Sequence, residues 1–118
     1  MRHGNHKYQL SMERSHRVAL MKNLAAEIID HGKVRTTAAK ARALKPVIEK
    51  LVTLAKNDTL ANRRLAYSKL NNAAAVKALF ENVAPKFKQR PGGYTRMLKL
   101  AEARLGDAAP QAILAFVE

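Results

Sequence analysis

The apolar residues in the first part of the chain recur at helical spacing. The first such stripe consists of Val18, Met21, Leu24, Ala25, Ile28 and Ile29. This spacing predicts a helix from Ser15, whose side chain would cap it, to about His31. Gly32 follows as a natural left-handed stop.

A second apolar stripe predicts a helix that begins after Thr37, which can cap it. Its members are Ala41, Leu44, Val47, Ile48, Leu51, Val52 and Ala55. Pro46 lies inside this pattern and removes one backbone donor. We therefore expect a kink at Pro46, or a break into two short helices.

Two further helices are predicted between residues 57 and 85. The run Asn57-Asp58-Thr59 is a turn and cap signal before a third helix over about 60–70. The pair Asn71-Asn72 opens a fourth, which carries Val76, Leu79, Phe80 and Val83 and closes near Pro85.

Three short segments have the character of β-strands. Residues 33–36 form a β-branched run, residues 94–102 alternate, and residues 112–117 are apolar after the turn at 106–110. We expect the last two to pair antiparallel. The resulting order is helix, strand, three helices and two strands. It predicts an α+β fold with a small mixed sheet and a C-terminal antiparallel hairpin packed against the helices, so that helices cover the sheet on one side.

The charge of the chain restricts its partners. Among 118 residues, 22 Lys and Arg stand against 9 Asp and Glu, for a net charge of +13. Such a balance favours nucleic acid or an anionic membrane surface. Cysteine is absent, which excludes disulfides and thiolate chemistry. No apolar run approaches the roughly 20 residues that span a bilayer, and the N-terminus lacks a signal-peptide core, so we expect a cytoplasmic protein.

The first fourteen residues are basic and lack periodicity. They predict an N-terminal arm over 1–14 that folds on a polyanion, followed by a single α+β RNA-binding domain over 15–118. The alternative is a frayed terminus. Cations at the start of the first helix, Arg17 among them, oppose the helix dipole and are better explained by an external anion.

The stretch before the second strand combines cations with glycine. Lys86, Lys88 and Arg90 precede Pro91-Gly92-Gly93 and a lone tyrosine, Tyr94. A glycine turn exposes backbone N–H groups, so this stretch suits a phosphate backbone, with Tyr94 stacked on an unpaired base. The alternatives are a loop with a solvated charge run and a strand tyrosine packed on its neighbours.

Catalysis has little support in the sequence. The four histidines, His3, His6, His16 and His31, lie near the arm or at a helix end, and the acids are mostly scattered singly. No phosphate-binding glycine motif is present. We therefore expect no enzyme activity, no cofactor, no metal, no small-molecule substrate and no membrane. Because the cations are dispersed over several elements, folded RNA fits better than a single DNA groove.

Several blocks of the sequence together resemble the bacterial ribosomal protein L17 family. They are Met1-Arg2-His3, Ser15-His16-Arg17 with Asn23-Leu24-Ala25, residues 33–37, 53–56 and 61–66, Gly92-Gly93-Tyr94-Thr95-Arg96, and residues 106–110. The resemblance covers essentially the whole chain, in order. Pro46 and the segment 71–75 depart from the expected pattern, and both concern helix geometry.

The resemblance implies a non-catalytic constituent of the large ribosomal subunit. It would bind large-subunit (23S) rRNA near the polypeptide exit tunnel, beside neighbouring large-subunit proteins. The RNA contacts it implies are Arg2, His3, Ser15, His16, Arg17, Arg35, Thr36, Thr37, Arg63, Arg64, Gly92, Gly93, Tyr94, Thr95 and Arg96. The charge pattern adds Lys7, Arg14, Lys22, Lys40, Arg42, Lys86, Lys88, Arg90 and Lys99. A basic DNA-binding or nucleoid protein, and an adaptor for an acidic protein, remain as alternatives.

Overall fold

The computed structural model describes residues 13–101, 104–106 and 108–117. The four α-helices of this part of the chain are α1 (Arg14–His31), α2 (Ala38–Ala55), α3 (Leu60–Leu70) and α4 (Ala73–Ala78). The chain then continues through a π-helical turn, Leu79–Val83, and a 3-10 turn, Ala84–Phe87. The strands are β1 (Lys33–Thr37), β2 (Thr95–Lys99) and β3 (Gln111–Phe116). The α+β class and the order of the elements are confirmed.

The sheet has the strand order β1-β3-β2 and is antiparallel throughout. The expected hairpin of the last two strands is confirmed, but the expectation of a mixed sheet is wrong. The reason lies at Gly32, which ends α1 with a φ of 82° and whose carbonyl accepts the Phe116 N–H at 3.1 Å. This contact starts β1 beside the end of β3, so the two strands run in opposite directions.

The strict alternation of strand residues separates a buried face of the sheet from an outer face. Val34, Leu114 and Met97 are directly paired across the three strands and lie on the face packed against the helices. The rows on the outer face are Lys33–Ala115–Arg96 and Arg35–Ile113–Leu98. Helices therefore cover one side of the sheet, and the other presents cations along both edges.

The helix ends test the predicted caps. Thr37, Thr59 and Asn72 each accept a hydrogen bond from a backbone N–H three residues on, as the sequence predicts. Ser15 does not cap α1. Glu13 occupies the cap position without a side-chain bond, and Arg14 already belongs to the helix. The rest of the predicted arm, residues 1–12, lies outside the described residues.

Pro46 and Pro85 both concern predicted helix limits. The expected break at Pro46 is wrong, because α2 runs unbroken from Ala38 to Ala55, and the alternative of a kink there stays a prediction. Pro46 itself is exposed, and the buried face of the helix, including Leu44 and Ile48, packs into the core on either side of it. The fourth helical stretch ends at Phe87, near Pro85 as the sequence predicts. Pro85 lies at the start of the 3-10 turn, where a missing N–H costs little.

The core forms between α1, α2, the helical stretch from Ala66 to Phe87 and the inner face of the sheet. Leu44, Ile48 and Leu114 are among its fully buried side chains. Among the described residues, no helix combines the length and the apolar character needed to cross a bilayer.

Candidate nucleic-acid interface

Most of the cationic side chains of the described chain lie on the surface without an acidic partner. Ion pairs between described residues include Arg63 with Asp58 and, when the imidazole is protonated, His31 with Asp30. The positive charge is therefore not neutralised within this part of the molecule and is available to an external anion.

One group of predicted contacts lies at the start of α1. Arg14, Ser15 and His16 are exposed, Arg17 and Lys22 are partly buried, and the first turn contains no acid. Backbone N–H groups at a helix start attract anions, so cations there add to a favourable potential for phosphate. Arg2, His3 and Lys7, the predicted contacts in the arm, lie outside the described residues.

A second group lies where β1 passes into α2. Arg35 is exposed on the outer sheet face, and its guanidinium donates to the Gln111 side-chain oxygen on β3 at 2.9 and 3.1 Å. This contact orients the guanidinium without neutralising it. Thr37 accepts from the Lys40 N–H at 3.4 Å, so its hydroxyl is partly used inside the fold. Thr36 and Lys40 are partly buried, and Arg42 is exposed.

A third group surrounds the glycine turn. Lys86, Lys88 and Arg90 are exposed on the 3-10 turn and the segment after it. Gly92 and Gly93 have φ values of 141° and 64°, as the turn chemistry predicts. The chain around them is held in place. The Lys56 ammonium donates to the Arg90 carbonyl, and the Arg90 guanidinium lies 3.4 Å from the Gly93 carbonyl oxygen.

Tyr94 is a core residue. Its side chain is only 2% exposed, its ring lies 5.4 Å from that of Phe87, and the Lys56 ammonium lies 4.6 Å from the ring centroid. Burial raises the pKa of the Tyr94 hydroxyl, but hydrogen bonds to Lys56 and Thr53 outweigh it, and the pKa lies below its ordinary value. The structure thus agrees with the packed strand tyrosine, and the ring is covered where a base would have to stack.

Thr95 is also turned inward. It is 4% exposed, and the Glu49 carboxylate accepts from its hydroxyl at 2.8 Å and from its N–H at 3.1 Å. The next residue, Arg96, is exposed on the outer face. Lys99 is exposed at the end of β2. On β2, therefore, Arg96 and Lys99 present their charge to solvent, whereas Thr95 and the preceding Tyr94 anchor the strand.

The adjacent arginines of α3 have different surroundings. Arg63 donates two hydrogen bonds to Asp58, at 2.6 and 2.8 Å, and its guanidinium lies 5.0 Å from the Phe80 ring centroid. The hydrogen bond from Arg63 lowers the pKa of the Asp58 carboxyl below its ordinary value. Arg64 is exposed. Arg63 thus supports the turn before α3, and Arg64 is the one of the two that faces outward.

The structure also assigns importance to residues that the sequence-based site did not include. Lys56, at the end of α2, contacts the glycine turn, and Glu49 of α2 contacts the start of β2. No local pattern in the sequence predicts either contact. Lys33 lies in one cross-strand row with Arg96, and only the sheet register reveals this. The β1 strand prediction included Lys33, but strand membership alone does not identify its neighbour.

Lys33, Lys86 and Arg96 border a groove of about 680 Å³. One wall is the end of α1 with Asp30 and His31, the second is the helical stretch from Ala78 to Phe87, and the third is the end of the sheet with Ala115, Phe116 and Val117. Among the described residues, no group of three or more His, Cys, Asp and Glu side chains could hold a metal ion.

Comparison with known proteins gives two findings. A family model described as ribosomal protein L17 matches residues 20–117. The chain is also 51% identical over 118 residues to a curated protein of Neorickettsia sennetsu named "Large ribosomal subunit protein bL17". That match covers 99% of this chain and 100% of the relative.

Proposed function

This chain belongs to the ribosomal protein L17 family, and from that premise we propose that it binds and stabilises folded large-subunit rRNA near the polypeptide exit tunnel. As a member of this family it is a structural component of the large ribosomal subunit in the cytoplasmic ribosome, and it acts in translation. The proposal adds the RNA-binding role and the position in the subunit. It also holds that the chain performs no catalysis.

The observation that carries the proposal is the unneutralised positive surface. The chain has 22 Lys and Arg against 9 Asp and Glu, a net charge of +13, so most of its cations have no acid to pair with. Free in solution, this surface repels itself. Against RNA, each cation that meets a phosphate releases counterions, which gives a large and salt-dependent gain in binding free energy.

The distribution of the cations favours a folded RNA over a DNA duplex. Exposed cations occur at the start of α1, on both sheet edges, on α2 and beside the glycine turn. A duplex reader concentrates its contacts on one element that enters a groove. Charge on several elements instead suits RNA helices that converge on the protein from different directions.

We propose a contact set in three parts, within a single domain over 15–118 and a basic arm over 1–14. The first part is the arm and the start of α1, with Arg2, His3, Lys7, Arg14, Ser15, His16, Arg17 and Lys22. The second comprises Arg35, Thr36, Thr37, Lys40 and Arg42, with Arg64 on α3. The third comprises Lys86, Lys88, Arg90, Gly92, Gly93, Arg96 and Lys99. Arg63, Tyr94 and Thr95 are left out of this set, because their side chains already contact Asp58, Phe87 and Glu49.

The experiment that tests this proposal is sedimentation of the protein from a cell lysate, with and without ribonuclease, at low and high salt. We expect it to travel with the large subunit, to resist moderate salt and to be released when the RNA is digested. A protein that runs free, or that follows DNA and ignores ribonuclease, would contradict the proposal. Release by salt but not by ribonuclease would instead indicate an acidic protein partner.

A further inference from the structure

We propose that the groove between the end of α1, the 3-10 turn and the sheet binds a single nucleotide extruded from the RNA. The phosphate would lie between Lys33, Lys86 and Arg96, and the base would lie on the apolar floor at the end of β3. This inference rests on the proposed RNA-binding function and assigns a site within it. The groove is the new element, since the proposed contact set contains Lys86 and Arg96 only as separate surface charges and does not contain Lys33.

The size and chemistry of the groove suit a nucleotide. Its volume of about 680 Å³ lies within the roughly 300–1,000 Å³ of small-molecule sites. Among the described residues of its lining are the three cations Lys33, Lys86 and Arg96 and the carboxylate of Asp30. The Asp30 carboxylate lies 3.5 Å from a ring nitrogen of His31 at the end of α1. The cationic excess therefore favours a monoanionic phosphodiester.

The sheet register positions two of the cations on either side of Ala115, whose small side chain leaves a notch between them. Lys33 on β1 and Arg96 on β2 both pair with Ala115 of the central strand. Two strand spacings separate their backbones by about 10 Å. The Ala115 side chain between them is a single methyl group, so two long cationic side chains can converge over it on one phosphate. A larger residue at 115 would fill the same space.

The helix side of the groove supplies apolar surface and a polar amide. Phe116 alternates with Ala115 and faces the helices, so the groove runs around the end of the sheet. Phe116 is partly buried with its ring 5.8 Å from that of Phe87, and Val117 follows it. Both line the groove. Bases have apolar faces that pack on such surfaces whatever their sequence. Asn82, also in the lining, offers a donor and an acceptor to the edge of a base.

The test is a titration of the full chain, isotope-labelled for NMR, with adenosine 5′-monophosphate, inorganic phosphate and adenosine at about 150 mM salt, where long-range charge effects are screened. We expect the monophosphate to shift the amide signals of Gly32, Lys33, Arg96 and Ala115. We expect phosphate alone to bind roughly tenfold more weakly, because it lacks the contact with the floor. Equal binding of phosphate and nucleotide would overturn the proposal, as would shifts spread evenly over all cationic surfaces.

Two variants separate the notch from the charge. Ala115→Leu fills the notch without changing charge and should weaken monophosphate binding by about tenfold, and Lys33→Gln combined with Arg96→Gln should abolish it. The control is Lys50→Gln, which removes an exposed cation on α2 away from the groove. It should leave the affinity for the monophosphate unchanged. If Ala115→Leu does not fold, the double variant decides alone. A competition experiment compares how well RNA and an acidic peptide displace the bound monophosphate. If the peptide displaces it more effectively than RNA does, the groove binds a protein and the proposal is overturned.

The affinity of the wild-type chain and of Ala115→Leu for large-subunit rRNA is measured as well, so that failure of the groove proposal can be distinguished from failure of the proposed function. We expect Ala115→Leu to retain most of its rRNA affinity and its full salt dependence, because no cation is lost. If the wild type binds rRNA but its groove does not distinguish nucleotide from phosphate, only the groove proposal fails. If the wild type does not bind rRNA, the proposed function fails.

Discussion

The Glu49 carboxylate on α2 accepts two hydrogen bonds from Thr95 at the start of β2, one from the hydroxyl at 2.8 Å and one from the N–H at 3.1 Å. It also accepts the Tyr94 N–H at 3.0 Å. Glu49 and Thr95 are 46 positions apart in the sequence. The contact fixes where the edge strand leaves the glycine turn, and thus where Arg96 meets its partners on the outer face.

Glu49→Ala should destabilise the fold by about 2–3 kcal/mol, because three donors lose a charged acceptor and the Thr95 hydroxyl is left buried without it. Glu49→Gln keeps one carbonyl oxygen and should cost about half as much. Urea unfolding measures both, with Glu27→Gln, an exposed acid on α1, as the control. Equal unfolding midpoints for Glu49→Ala and the control would show that the hydrogen bonds to Glu49 contribute nothing to the stability of the fold.

The two glycines of the turn should respond differently to substitution. A Cβ at either position meets no atom within 4 Å, so any cost comes from the backbone. Gly93, at φ 64°, is in the left-handed region that asparagine tolerates, so Gly93→Asn should cost under about 1 kcal/mol. Gly92, at φ 141°, occupies a region nearly reserved for glycine, so Gly92→Asn should cost about 1–3 kcal/mol. Thermal unfolding that ranks the two in the opposite order would contradict this assignment.

Thr59→Ala should destabilise the protein by about 1 kcal/mol, because α3 loses the acceptor for the Asn62 N–H. Thr59→Ser keeps the hydroxyl and is the matched control, with little expected change. Chemical unfolding of both variants measures the difference. Identical losses in the two would mean that the threonine methyl group, rather than the cap, matters at this position.

The Asp58–Arg63 pair should be visible in the titration of Asp58. Arg63→Gln should raise the pKa of Asp58 toward its ordinary value, since the hydrogen bond from Arg63 is what lowers it. Because the folded-state pKa is depressed, this stabilisation is present above the ordinary carboxyl pKa and is lost as pH falls through the folded value. Carboxyl NMR against pH measures the shift, with Arg64→Gln as control. An Asp58 pKa that stays low in Arg63→Gln would assign the shift to another group.

Arg96→Gln should reduce the slope of log affinity for large-subunit rRNA against log salt by about one, as expected for one lost phosphate contact. The matched control is Arg63→Gln combined with Asp58→Asn, which removes an arginine without changing the net charge. It should leave the slope unchanged, because Asp58 already occupies that guanidinium. Filter binding over a salt series measures both. An unchanged slope for Arg96→Gln would remove it from the proposed contact set.

Local patterns in the sequence predicted the elements well. Apolar spacing identified the four helices, and short polar side chains identified three of the caps, at Thr37, Thr59 and Asn72. These features depend on residues within one helical turn of each other. The wrong expectations about helices are the cap at Ser15 and the break at Pro46, where flanking structure outweighs local preference. At Pro46 the packed face of α2 keeps the helix continuous despite a missing hydrogen bond.

The candidate site was predictable only in part. The sequence identified exposed cations such as Arg96 and Lys86, because charge density does not depend on the fold. It included Tyr94 and Arg63 on the same basis, although one is packed against Phe87 and the other is paired with Asp58. A side chain that looks available in a sequence can be engaged by a residue far along the chain, and no local pattern reports this.

By itself, then, the sequence determined the fold class, the positions of the helices, the strongly basic surface and the resemblance to ribosomal protein L17. Each of these follows from composition, from periodicity within a short segment or from whole-chain similarity. Only the tertiary structure decided which cations meet. Lys33 and Arg96 become neighbours across Ala115 because β3 lies between β1 and β2 in one register. Strand order and register depend on packing between distant segments, so the groove they form is a property of the folded chain.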